Sequence, residues 1–173
     1  MADRVVNYLL RLHQQGIGNM NRPTEGIAVD AAHSTKNLVT EFQGIDLATG
    51  EQIFYKNLGN QTVNIGEFLG VVEAVKYVIE NDFQPRHIYT DSVTALTWFK
   101  NKATASNKKC KDLQKAEIFL KAFAYDVDSI EVSHWDNKEW GETPADFGNK
   151  GNSKNRPEVQ GNEDTNNLAK FTF

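Results

Sequence analysis

Apolar and polar positions along this chain switch between a strand-like and a helix-like period, and the switches mark out its elements. Residues 26–32 form an apolar, β-compatible stretch, and 39–46 and 52–57 continue in the same style. Between the last two, Leu47-Ala48-Thr49-Gly50-Glu51 suits a turn joining antiparallel strands. From Ile65 to Asn81 the period changes, with Ile65, Phe68, Leu69, Val72, Val75 and Ile79 recurring at helical spacing and Glu73, Lys76 and Glu80 facing elsewhere. A helix is predicted there. A short strand at 87–90 follows Pro85, and helices are predicted over 93–100 and 112–125. In 129–135, Ile130, Val132 and His134 alternate against polar neighbours, as in a half-buried strand.

The resulting order, β-β-β-α-β-α-α-β, predicts an α/β fold with a five-stranded mixed sheet flanked by helices. An antiparallel meander comes first, and parallel strands reached through crossover helices follow. Residues 1–22 open with Val5, Val6, Leu9, Leu10 and Leu12 on one helical face and pass into Gly16, Gly18, Asn19, Asn21 and Pro23, which predicts a helix and a linker. Residues 151–173 are dominated by Gly, Asn, Ser, Glu and Lys, too poor in apolar side chains to fold alone, and are expected to be a disordered tail. That leaves one domain over 23–150, in keeping with a chain of 173 residues.

Charge and cysteine content narrow the partners. A net charge of -4 argues on average against a nucleic-acid partner, but Lys100, Lys102, Lys108, Lys109 and Lys111 form a local basic run. The single cysteine, Cys110, excludes an internal disulfide and a thiolate zinc site. No apolar run approaches the roughly 20 residues of a membrane span, and the start lacks a signal-peptide layout, so a soluble cytoplasmic protein with no membrane contact is expected.

Four carboxylates then stand out by place. Asp30 lies near the end of the first strand, Glu67 at a helix start, Asp91 after the fourth strand and Asp146 after the fifth. Singly, capping explains three of them: Asn64 with Glu67 reads as a capping box, Asp91 as a helix cap, and Thr143-Pro144-Ala145-Asp146 as a helix start. Capping does not account for a further carboxylate on the first strand directed at the same sheet end. In open sheets with parallel strands, ligands gather beyond the strands' carboxyl ends. Clustered carboxylates there repel unless cations neutralise them, and Mg²⁺ prefers such hard oxygen ligands.

Asp30, the Asn64-Ile65-Gly66-Glu67-Phe68-Leu69 helix start, Tyr89-Thr90-Asp91-Ser92 and Trp140-Gly141-Glu142-Thr143-Pro144-Ala145-Asp146-Phe147-Gly148 together resemble type I ribonuclease H. The likeness is to the bacterial branch with a Glu-x-x-x-Asp final motif, and it covers residues 24–150. It implies the ribonuclease H-like fold and an endonuclease that cuts the RNA strand of RNA–DNA hybrids, leaving 3′-hydroxyl and 5′-phosphate ends. It also implies two Mg²⁺ ions, with Mn²⁺ as a substitute, held by Asp30, Glu67, Asp91 and Asp146, and Glu142 as a mobile acid that assists metal exchange and product release. Thr62, Asn64, Ser106, Asn107 and Asn137 would hold phosphates of the DNA strand, and Lys100 and Lys102 the backbone. Leu168, Phe171 and Phe173 at the end of the tail are similar to peptides that hold a replication clamp.

The chain departs from the family where the hybrid is read. Ala31-Ala32-His33-Ser34-Thr35-Lys36-Asn37 replaces a Gly-Asn-Pro-Gly turn, Val63 stands where an Asn is usual and Val93 where a Gln is usual. Fold does not determine substrate. The alternatives are therefore a nuclease of the same fold acting on DNA or a junction, and a non-catalytic hybrid-binding protein.

Overall fold

In a computed structural model of the chain, residues 21–148 are described. Positions 1–20 of the expected N-terminal helix and linker, the tail over 151–173, and Leu168, Phe171 and Phe173 within it lie outside the described residues.

The expected fold class is the one observed. Strands β1 (Ile27–Ser34), β2 (Val39–Asp46) and β3 (Gln52–Asn57) form the meander. Helix α1 (Val63–Asn81), β4 (His87–Thr90), α2 (Val93–Asn101), α3 (Lys111–Ala122), α4 (Ala124–Asp128), β5 (Glu131–His134) and the single turn α5 (Asn137–Trp140) follow. The five strands make one sheet in the order β3-β2-β1-β4-β5, with β1 antiparallel to β2 and parallel to β4. No helix among the described residues is long and apolar enough to cross a membrane.

Strand alternation divides the sheet's two faces. Ile27, Val29 and Ala31 of β1, with Phe42 of β2 and Ile88 of β4, point into the main core beneath α1, α2 and α3. The intervening residues point the other way, where Ala28, Ile45 and Ala145 form a small separate cluster. Asp30 has the parity of Ala28 and so belongs to this second face.

Helix α1 can lie close to the sheet because glycines face it. A Cβ on Gly66 would stand 2.7 Å from Thr40 Cγ2 and 3.2 Å from the Ala31 Cβ, and one on Gly70 would stand 2.7 Å from Val29 Cγ1. Glu67 rides on this seam, which sets its height above β1. Alanine normally favours a helix interior over glycine by about 1 kcal/mol. Here the stiff, buried Val29 leaves no room, and overpacking of this kind costs typically 1–3 kcal/mol. Gly70→Ala should therefore lower the melting temperature in a thermal unfolding scan; an increase would show that the helix can lift without penalty.

Several local boundaries differ from expectation, each for a chemical reason. Helix α1 begins two residues early, capped by Thr62, whose hydroxyl accepts from the Ile65 N–H at 3.3 Å; Asn64 is inside the helix and is not the cap. Ser92 caps α2 by accepting from the Ala95 N–H at 3.1 Å, so Asp91 is left free of that duty. The helix expected over 112–125 breaks at Phe123, which leaves helical dihedrals at φ -103°, ψ 27°. Thr143–Asp146 closes as a turn, with the Asp146 N–H on the Thr143 carbonyl at 3.0 Å, and no helix begins there among the described residues.

Candidate metal centre

Parallel pairing of β1 with β4 sets the first two carboxylates side by side. Val29 is registered with Thr90, the last residue of β4, so the next step along each strand is Asp30 and Asp91. β1 runs on to Ser34 with β2 on its other edge, which leaves a notch beside it where β4 has stopped. Glu67 reaches this notch from α1, and its Oε1 accepts from the Ala31 backbone N–H at 3.3 Å. Ligand oxygens of Asp30, Glu67 and Asp91 all lie within 4.8 Å of one another.

The electrostatics of this cluster set its carboxylates against one another. Burial, with Asp91 next to it and Asp146 farther on, raises the Asp30 carboxyl to about 7. Burial first, then Asp30 and Asp91, pushes Glu67 up to about 9. Glu67 Oε2 is buried with no hydrogen-bond donor to it among the described residues. Orphaned buried oxygens are costly. Without a cation, the relief available is a proton held between Asp30 and Glu67. Hard, acceptor-only oxygens converging in this way fit a divalent ion such as Mg²⁺.

Asp91 is held from outside the cluster. Its Oδ2 accepts from Asn137 Nδ2 at 2.8 Å, and Asn137 Oδ1 in turn accepts from the Thr143 N–H at 3.2 Å. One amide thus ties the strand-end aspartate to the loop that carries Glu142 and Asp146. Asp146 is half-buried and close enough to act on the charge of Asp30, while Glu142 stands exposed on the same loop. The loop lies over the second face of the sheet. Ala145 is fully buried there, Phe147 packs edge-on against Tyr55 at 6.4 Å, and Trp135 donates its indole N–H to the Gly141 carbonyl at 2.9 Å.

The residues expected to hold phosphate fall in two neighbouring loops. Thr62 and Asn64 are exposed at the start of α1, and Ser106 and Asn107 lie in the loop between α2 and α3. Lys108 joins the two loops by donating to the Asn60 carbonyl at 2.9 Å. Ser106 Oγ is engaged with the Lys108 backbone, and Thr62 Oγ1 with its cap. Lys100 is exposed in the last turn of α2, but Lys102 pairs with Asp128 at 2.8 Å. Asn137, expected among the phosphate contacts, is occupied by Asp91 and Thr143 as described. Trp98 and Trp135 are core residues, 8% and 0% exposed.

Sequence reasoning passed over the partners that place the acids. The sequence presents Asn137 as a phosphate donor, and nothing in its spacing reveals that it faces Asp91. Gln43, whose Nε2 donates to the Ala145 carbonyl at 2.6 Å, is a second case, with one visible signal: a polar residue set between Phe42 and Gly44 in the middle of a strand.

No protein-family model matches the chain. Among solved structures it is similar to RNase H1 from the halophilic archaeon Halobacterium salinarum, at 14% identity and a TM-score of 0.42 over 69% of this chain and 90% of that one. It is also similar to a metagenomic RNase H1 from compost, at 12% identity and a TM-score of 0.46 over 66% and 85%. A prototype foamy virus protease-reverse transcriptase matches at 19% identity and a TM-score of 0.45, over 76% of this chain and 20% of that one. Likeness at this level identifies neither substrate nor chemistry.

Proposed function

We propose that the chain is a metal-dependent nuclease of the ribonuclease H type, acting in the cytoplasm on the RNA strand of RNA–DNA hybrids. The observation that carries this reading is the convergence of Asp30, Glu67 and Asp91 within 4.8 Å at the carboxyl end of parallel strands, with a buried Glu67 oxygen lacking a donor. The four-part motif order noted in the sequence, ending in Glu142-x-x-x-Asp146, supports it.

Asp30, Glu67, Asp91 and Asp146 would hold two Mg²⁺ ions. When bound, such ions activate a water and stabilise the charge on the phosphoryl group and the leaving 3′ oxygen. The protein's own share is positional. Asp30 and Asp91 are set by strand register, Glu67 by the glycine seam of α1 and the Ala31 N–H, and Asp146 by its loop. Asn137 holds one Asp91 oxygen through its side-chain amide. Glu142, exposed and four residues before Asp146, would be the mobile acid that assists metal exchange and product release. Thr62, Asn64 and Asn107 would offer hydroxyl and amide donors that suit phosphate without base preference, and Ser106 would join them on releasing the Lys108 carbonyl to which its hydroxyl donates at 3.0 Å.

The test is cleavage of a labelled RNA–DNA hybrid beside double-stranded DNA, double-stranded RNA and a four-way junction, with Mg²⁺ and with EDTA. Hybrid cleavage lost in EDTA is expected. Cleavage of DNA or the junction alone would move the assignment to another nuclease, and tight hybrid binding without cleavage would make it a binding protein.

Selectivity has its own expected result. Val63 and Val93 open α1 and α2, exposed at 41% and 65%, and stand at the positions where the resemblance implies amides that read the minor groove. A valine offers no donor there, and each hydrogen bond gained is worth on the order of 1 kcal/mol. The variant Val63→Asn, Val93→Gln should lower KM on hybrid several-fold with kcat little changed. An unchanged KM in a normally folded variant would mean that the groove is read elsewhere, with Lys36 and Asn37 next in line.

A further inference from the structure

The loop bearing Asp146 is pinned to the sheet by a buried glutamine. Gln43 lies in the middle of β2, registered directly across from Asp30 on β1 and therefore on the same face of the sheet. The residue is 9% exposed, and its Nε2 donates to the Ala145 carbonyl at 2.6 Å. Its Oε1 accepts from Gln52 Nε2 at 2.7 Å. The second contact fixes the first. An amide whose oxygen is claimed by a donor from β3 must turn its nitrogen toward the loop, so Gln52 and Gln43 form a two-step relay from the sheet edge to the residue before Asp146.

We infer that Gln43 is a positioning residue for the metal centre: it anchors the Ala145 carbonyl, and thereby sets Asp146 above Asp30. This rests on the metal-centre reading above. Ala145 itself is apolar and fully buried against Ala28 and Ile45, which fixes the depth of the loop but not its rotation. A directional bond to its carbonyl supplies the rotation.

Calorimetric titration with Mn²⁺, which needs no substrate, tests this on purified protein. Gln43→Met keeps the length and volume but not the donor, and should weaken Mn²⁺ binding about 10-fold, the usual order for residues that orient metal ligands. In an Asp146→Asn background the same change should cost less than about 2-fold, because the ligand it positions is already gone. Affinity equal to the parent's, or an equal loss with and without Asp146, overturns the inference and leaves the metal centre standing. If Gln43→Met lacks a cooperative melting transition, Gln52→Met on the exposed edge strand takes its place. It should weaken Mn²⁺ binding in the same direction, and parent-like affinity in it overturns the inference. A parent that binds no Mn²⁺ overturns the metal-centre reading and this inference with it.

Discussion

Asp91→Asn should abolish hybrid cleavage and leave the fold intact. The amide is nearly isosteric with the carboxylate, and its oxygen can still accept from Asn137, which now donates at 2.8 Å to Asp91 Oδ2. Asp91 is only half-buried at the mouth of the notch, so no core contact is lost. What disappears is a negative charge that, on the function proposed above, divalent cations would require at short range. A loss of at least roughly 1000-fold in kcat is expected, about 4 kcal/mol of barrier. Circular dichroism and the melting transition should match the parent. A folded variant that cleaves at the parental rate would place the chemistry away from this cluster.

The second large effect is a stability that runs against pH until metal is added. Asp30 and Glu67 have folded-state values raised to about 7 and about 9, from 3.8 and 4.5, chiefly by burial. A carboxyl raised in the folded state binds its proton more tightly there than in the unfolded chain. The folded state is therefore favoured at low pH, and that advantage is lost as pH rises through the folded-state values. In EDTA, the melting temperature should fall between pH 6 and pH 9, the upper part of the window from about 4 to about 9 that the unfolded and folded values of these two groups set, by about 5 °C or more for a domain of this size. Saturating Mg²⁺ should oppose the fall. Cations bind the ionised carboxylates, so their stabilisation by mass action grows with pH.

Glu67→Gln separates this from other titrations in the same range. It removes the more strongly shifted group, so the slope in EDTA should shrink and the variant at pH 9 should melt above the parent. It should also gain less from Mg²⁺. That combination, a more stable metal-free protein with a poorer site, is the mark of an active centre that holds repulsion in reserve for its ligand. A parent with a flat profile in EDTA, or a Glu67→Gln variant less stable than the parent at pH 9, would contradict it.

Both effects depend on residues far apart in the chain, and the two levels of description contribute differently. Local chemistry is enough to find the elements. The apolar spacing of Ile65, Phe68, Leu69, Val72 and Val75 demands a helix, the alternation of Ile130, Val132 and His134 demands a strand, and both form. It is enough to pick out Asp30, Glu67 and Asp91 as well, because acids at strand and helix ends are visible in a one-dimensional pattern once their order is compared with a known family. Capping was less legible. Thr62 and Asn64, or Asp91 and Ser92, are competent caps one or two residues apart, and backbone direction at the turn chooses between them.

Distance and orientation belong to the tertiary structure alone. Asp30 meets Asp91 because β1 and β4 pair in parallel with Val29 beside Thr90, a register that neither strand encodes by itself. Glu67 reaches the same point because Gly66 and Gly70 let α1 sit close to the sheet, and its value near 9 follows from burial that no sequence window reports. Asn137 and Gln43 look like ordinary polar residues in the sequence. They act on Asp91 and Ala145, 46 and 102 positions away. Hydrophobic periodicity is a local property of consecutive residues, whereas a metal centre is a property of the few atoms that folding brings within a few ångströms.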